Sequence, residues 1–140
     1  MSVEENKAIV RRYIEIGWSK GDMDVVRESV APNYLRHQPN MMMQVETGEA
    51  LTTLIGAYRA GVPDLHIEIE HLVAENDRVV TRVRITGTHT GDLAGIPPSN
   101  RSVDFTASDI FKMAGGRILE SWHNVDDYGL LLQVGALPPQ

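Results

Sequence analysis

At Leu65 the hydrophobic pattern of this chain changes period, and that change limits the fold more than any other feature of the sequence. Before it, apolar residues recur at helical spacing. After it, Leu65, Ile67 and Ile69 alternate with His66, Glu68 and Glu70, and Val79, Thr81, Val83 and Ile85 alternate with Val80, Arg82, Arg84 and Thr86. This is the two-residue repeat of half-buried strands. Four strands are predicted, at about 65–73, 78–89, 102–113 and 117–126. The turns Glu75-Asn76-Asp77-Arg78 and Ala114-Gly115-Gly116-Arg117 join neighbours at hairpin length, whereas the loop from Thr90 to Arg101 carries Pro97 and Pro98, which a central strand cannot use.

Upstream, Ser2 and Glu5 fit a capping box, and Val10, Tyr13, Ile14 and Gly17 predict an amphipathic helix ending near Gly21. Asp22 can cap a second short helix, stopped before Pro32. Leu51, Leu54, Ile55 and Tyr58 mark a third, ending near Gly61 and Pro63. Asp126 or Asp127 can cap a last short helix stopped at Gly135. Helices followed by antiparallel strands imply the α+β class, with one curved sheet and the helices on its concave side.

A chain of 140 residues is expected to form one domain with a sizeable core. The absence of cysteine removes disulfides and thiolate metal sites from consideration, and no His or Glu pair has metal-ligand spacing with a third ligand nearby. A net charge of -6 would repel nucleic acid and anionic membrane surfaces, which leaves a small neutral ligand as the natural partner. The N-terminus lacks an apolar signal core and no stretch approaches ~20 apolar residues. A soluble, cytoplasmic protein is therefore expected.

The opening helix with the segment through "NYLRHQP", the run Gly87 to Pro98 (Gly-x-His-x-Gly-x-Leu-x-Gly-x-Pro-Pro), the strand "DIFKMAGGRILESWH" and the ending "GLLLQVGALP" together resemble the SnoaL-like polyketide cyclases of the nuclear-transport-factor-two-like superfamily. The resemblance implies a cone-shaped α+β barrel with N-terminal helices on a curved, mainly antiparallel sheet of four to six strands. It further implies an enclosed ligand pocket and a homodimer or homotetramer packed through the sheet's outer face. It also implies acid/base, aldol-type ring closure on a hydrophobic substrate such as an aromatic polyketide ester, with no metal or organic cofactor. Fold alone does not fix function.

Aligned on that resemblance, His123 falls where the cyclases carry their acid/base aspartate, and Asp109 where they carry a pocket histidine. The carboxylate and the imidazole exchange strands. By strand period Asp109 shares a face with Val103, Phe105, Ala107 and Phe111, and His123 shares one with Leu119, Ser121 and Val125. A three-residue hairpin loop with Gly116 left-handed would set Asp109 opposite Ser121 and diagonal to His123; a two-residue Gly-Gly turn would set it opposite Trp122 and break the pair. Paired, they would give a general base oriented by a carboxylate, with the imidazole pKa near neutral. Unpaired, each could be a satisfied structural group.

His37 is a further candidate for the catalytic set, lining the pocket or sitting on a solvated loop. Tyr13, Trp18, Tyr58, Phe105 and Ser121 are candidate substrate contacts, and the aromatic ones could equally be core. His89 is placed with them but more naturally holds the Gly-rich loop together. His66 and His71 look outward and receive no role. Met41, Met42 and Met43 could form an adaptable lid. An Asp-Arg-Asp arrangement of the epoxide-hydrolase kind would need Arg82 or Arg84, which face away from the apolar side. The rival readings are a non-catalytic binding or dimerisation module, and an isomerase, dehydratase or hydrolase of the same superfamily.

Overall fold

The computed structural model describes residues 1–38 and 47–138; Met41, Met42 and Met43 lie outside them. Helix α1 (Val3–Arg12) starts on the expected capping box: the Ser2 hydroxyl accepts from the Glu5 backbone N–H at 3.1 Å and the Glu5 carboxyl accepts from the Ser2 N–H at 3.2 Å. It does not end as an α-helix. From Tyr13 to Trp18 the chain continues as a π-helical turn, in which the Ser19 N–H reaches back five residues to the Ile14 carbonyl at 2.9 Å. The wider turn brings Tyr13 and Trp18, five apart, to the same side, where the Trp18 indole N–H donates to the Tyr13 hydroxyl at 2.9 Å.

Helix α2 (Met23–Ser29) is capped by Asp22, and α3 (Gly48–Gly61) buries Leu51, Leu54, Ile55 and Tyr58. The strands are β1 (Val30–His37), β2 (His66–Glu75), β3 (Arg78–Thr88), β4 (Ser102–Ala114) and β5 (Arg117–Val125), and α4 (Asp127–Gln133) is capped by Asp126. The four helices pack on one five-stranded mixed sheet in the order β1-β5-β4-β3-β2, so the sheet is open, with β1 and β2 at its edges. Among the described residues no helix is long and apolar enough to cross a membrane.

The four strands predicted from the alternating pattern are present within two residues of their expected ends. The fifth, β1, departs from the expectation of helix up to Pro32. The helix stops at Ser29, and Val30 to His37 runs parallel to β5. Pro32 is tolerated because it lies in a bulge between the Val30–Ile118 and Leu35–Glu120 pairings of an edge strand, where its missing N–H breaks no ladder bond.

The Gly-rich segment folds over the C-terminal end of α3. The Gly91 N–H donates to the Gly61 carbonyl at 3.1 Å, and a Cβ on Gly91 would lie 1.9 Å from the Ala60 carbonyl oxygen, so only glycine permits this approach. Val79, Val83, Ile85, Val103, Phe105, Phe111, Met113 and Ile118 form the sheet's inner layer against Val10, Tyr13, Ile14 and α3. Each large aliphatic side chain so buried contributes about 1.5–3 kcal/mol.

Candidate active site

Thr81, Asp109 and His123 occupy one rung of the sheet, directly opposite one another on β3, β4 and β5. Neither hairpin geometry expected from the sequence accounts for this. The turn is the tight two-residue one, with Gly115 at φ 57° and Gly116 at φ 81°, and it pairs Ala114 with Arg117. That register alone would put Asp109 opposite Trp122. A bulge after the Met113–Ile118 pair passes over Leu119, pairs Lys112 with Glu120, and so places Asp109 opposite His123. Ile118, rather than Leu119, takes the inner position, and Ser121 and His123 keep theirs.

The polar groups of this rung are connected. The His123 Nδ1 lies 2.6 Å from Asp109 Oδ1, and the Thr81 hydroxyl donates to Asp109 Oδ2 at 3.1 Å. On the far side of the ring, Nε2 is 2.7 Å from the Ser121 hydroxyl, which is 2.5 Å from the Tyr34 hydroxyl. Tyr34, Thr81, Asp109, Ser121 and His123 are all buried. Removing a carboxylate from water costs several kcal/mol, and charge-assisted hydrogen bonds of about 1.5–3 kcal/mol each offset that cost. With Asp109 ionised, Nδ1 carries the ring proton and Nε2 presents its lone pair, accepting from Ser121.

Burial, and then the positive charge of Arg36, push the His123 pKa down to about 4, against the pull of Asp109. The near-neutral value expected from the sequence is therefore corrected. In the sequence the partner carboxylate was visible, whereas the depth of the site and the arginine were not.

His123 and Asp109 form part of the wall of a partly open cleft. Most of the remaining lining is apolar, from Ile14, Leu65, Ile67, Val83, Ile85 and Phe105. Of the candidate substrate contacts, Tyr13, Trp18, Tyr58 and Phe105 line the cleft. Tyr13 meets Phe111 edge-on at 6.0 Å and Phe111 meets His123 edge-on at 5.6 Å, which fixes the imidazole plane.

Three candidates lie elsewhere. Ser121 is fully buried behind His123 and touches the imidazole instead of lining the cleft. His89 is buried in the Gly-rich loop, where its Nδ1 accepts from the Ser99 N–H at 3.2 Å and its backbone closes the loop on Asn100 and Arg101. His37 points to the other face of the sheet. There it stacks on Trp122 at 5.3 Å and its Nε2 lies 2.6 Å from the Glu120 carboxyl. Its segment is a strand and not a loop, so alternation sends Leu35 and His37 outward and Tyr34 and Arg36 inward. The signal for Arg36, Tyr34 and Gln38 was thus a two-residue period hidden by Pro32.

Arg36 is 5% exposed and borders the cleft. Its Nε donates to the Gln38 side-chain carbonyl at 3.1 Å, and its guanidinium lies 5.6 Å from the centre of the Trp18 ring. Behind Tyr58, whose hydroxyl donates to Asp127 Oδ1 at 3.4 Å, burial pushes the Asp127 pKa up to about 6. Among the described residues no group of three or more His, Asp or Glu side chains could hold a metal ion.

Residues 7–134 match the family model described as SnoaL-like polyketide cyclase. The chain belongs to this family. Among solved structures it is similar to a candidate SnoaL-like polyketide cyclase from Jannaschia sp. CCS1, with 29% identity, a TM-score of 0.85, and coverage of 96% of this chain and 94% of that one. It is also similar to IdmH, a candidate polyketide cyclase from Streptomyces antibioticus, at 25% identity and a TM-score of 0.81 over 93% of this chain and 98% of that one. AclR, a candidate hydroxylase from Streptomyces galilaeus, shares the fold at a TM-score of 0.87 and 24% identity, covering 99% of this chain and 86% of that one. No curated protein matches the chain.

Proposed function

We propose that this SnoaL-like protein is a cofactor-independent enzyme that moves protons on a hydrophobic carbonyl compound bound in the cleft, with aldol-type cyclisation as its reaction. The observation that carries the reading is a hydrogen-bonded Asp–His pair set into a mostly apolar wall. His123 Nε2 takes a proton from the carbon next to a carbonyl, and the electron pair moves to the carbonyl oxygen. The enolate carbon then bonds to a second carbonyl of the same molecule, and the resulting alkoxide takes the proton back. Asp109 holds the Nδ1–H tautomer and stabilises the imidazolium. Substrate can reach Nε2 only if the Ser121 side chain changes rotamer, because its Oγ lies 2.7 Å from Nε2 and is already 2.5 Å from the Tyr34 hydroxyl.

The same engagement of Nε2 by Ser121 favours the rival reading, a binding module with a purely structural histidine. Turnover of an aromatic diketone ester followed by loss of its absorbance separates the two. His123→Ala should lower kcat/KM by about 10²–10⁴-fold and Asp109→Asn should also slow it strongly, while both variants keep substrate affinity within about threefold. Equal turnover by wild type and His123→Ala would leave the binding module.

A further inference from the structure

Arg36 is a buried cation whose charge no carboxylate of the described residues meets within ion-pairing distance. Its Nη1 is buried and has no hydrogen-bond partner among the described residues. Burying a guanidinium is costly unless it is paired, and buried arginines are normally met by carboxylates. Asp109, the nearby carboxyl, already accepts from His123 and Thr81 through both oxygens. Gln38 holds Nε, and Trp18 supports the guanidinium plane from one side, so the group is held in place with donors left over at the border of the cleft. A rigid, desolvated guanidinium at the end of an apolar slot is the arrangement that recognises an organic anion.

We propose that the cleft's natural ligand carries a free carboxylate, bound by Arg36, with its hydrophobic body between Trp18, Phe105 and the β2–β3 wall. This rests on the reading of the cleft as a substrate site but not on the base assigned to His123. It narrows the substrate class from a hydrophobic carbonyl compound to a hydrophobic keto acid, and the salt bridge would fix which carbon is presented to Nε2.

The test compares 2-naphthoate with methyl 2-naphthoate by titration calorimetry on the full chain. Wild type should bind the acid at least about tenfold more tightly than the ester, and Arg36→Gln should bind both at the ester's affinity. His123→Ala should keep the wild-type preference, so failure of the catalytic reading would leave this result standing. Thermal melting adds a second measurement: Arg36→Met, which removes a buried charge that no described carboxylate meets, should melt no lower than wild type without ligand. The naphthoate should raise the melting temperature of wild type and not that of the variant. Equal or tighter binding of the ester by wild type, binding of neither probe, or an acid preference that survives in Arg36→Gln would overturn the proposal. So would loss of folding in Arg36→Met, which would make the arginine a structural group.

Discussion

The imidazole of His123 is held by three neighbours of different character, and its behaviour with pH follows from which of them dominates. Asp109 favours the protonated ring; burial and Arg36 disfavour it, and they win, giving a pKa of about 4 against an ordinary 6.5. The basic form thus persists to lower pH than in a solvated histidine. We expect kcat/KM to rise as pH increases through about 4 and to be level across the range where a free histidine would titrate. Asp127 is the other group displaced toward the working range, at about 6, and it contacts the cleft through Tyr58. Its titration should appear as a second, shallower inflection that Asp127→Asn removes while the one near pH 4 stays. A single inflection at about 6.5 in wild type would show that the ring is solvated. Ser121 has 0% exposure and no place in the cleft lining, so Ser121→Ala should keep turnover within about tenfold, unlike a nucleophile or an obligatory relay.

At the scale of elements, the site depends on two irregularities that a period cannot encode. Alternation in β4 put Asp109 on the inner face without ambiguity, and the inner positions of β3 were equally readable. Which residue of β5 stands opposite depended on one bulged residue, Leu119, which neither a strand pattern nor the Gly-Gly turn announces. The π-helical turn was similarly invisible: Tyr13 and Trp18 were singled out as rings, but their meeting needs a five-residue spacing that helical periodicity does not include. Strand β1 was missed because Pro32 reads as a stop, and with it went Tyr34 and Arg36. Leu119 is the extra residue of the bulge, so deleting it should leave a plain ladder from the Gly115-Gly116 turn that still pairs Lys112 with Glu120 and Asp109 with His123. The variant should fold, and the downfield proton of a carboxylate-bound Nδ1–H should persist in its NMR spectrum. Loss of that signal in a folded variant would mean that the bulge does more than set the register of the pair.

Over the whole molecule, the outward face of the sheet has a feature that an isolated chain does not explain. Val73, Val80, Ile110, Trp122 and His37 are successive partners across all five strands and form one continuous row. Val73 is 59% exposed, Ile110 42% and Val80 38%, and the Trp122 ring lies between His37 and Arg78. Charged pairs such as Arg82–Glu70 and Arg84–Asp104 sit on the same face beside the row. An apolar stripe with a polar rim has the layout of a protein contact surface, and a row that crosses every strand can meet its own copy about a two-fold axis. We therefore expect a homodimer joined through this face, with the two clefts opening away from each other because the active-site rung lies on the opposite side of each sheet. Ile110→Glu places a charge at the centre of the stripe, far from any inner-face contact. Light scattering should give twice the chain mass for wild type at micromolar concentration and the single chain mass for Ile110→Glu. Near-ultraviolet circular dichroism and kcat/KM should stay close to wild type if the cleft is complete within one chain. A wild-type monomer would leave the stripe without a partner of this kind, and a monomeric variant that also loses activity would mean that each cleft depends on its neighbour.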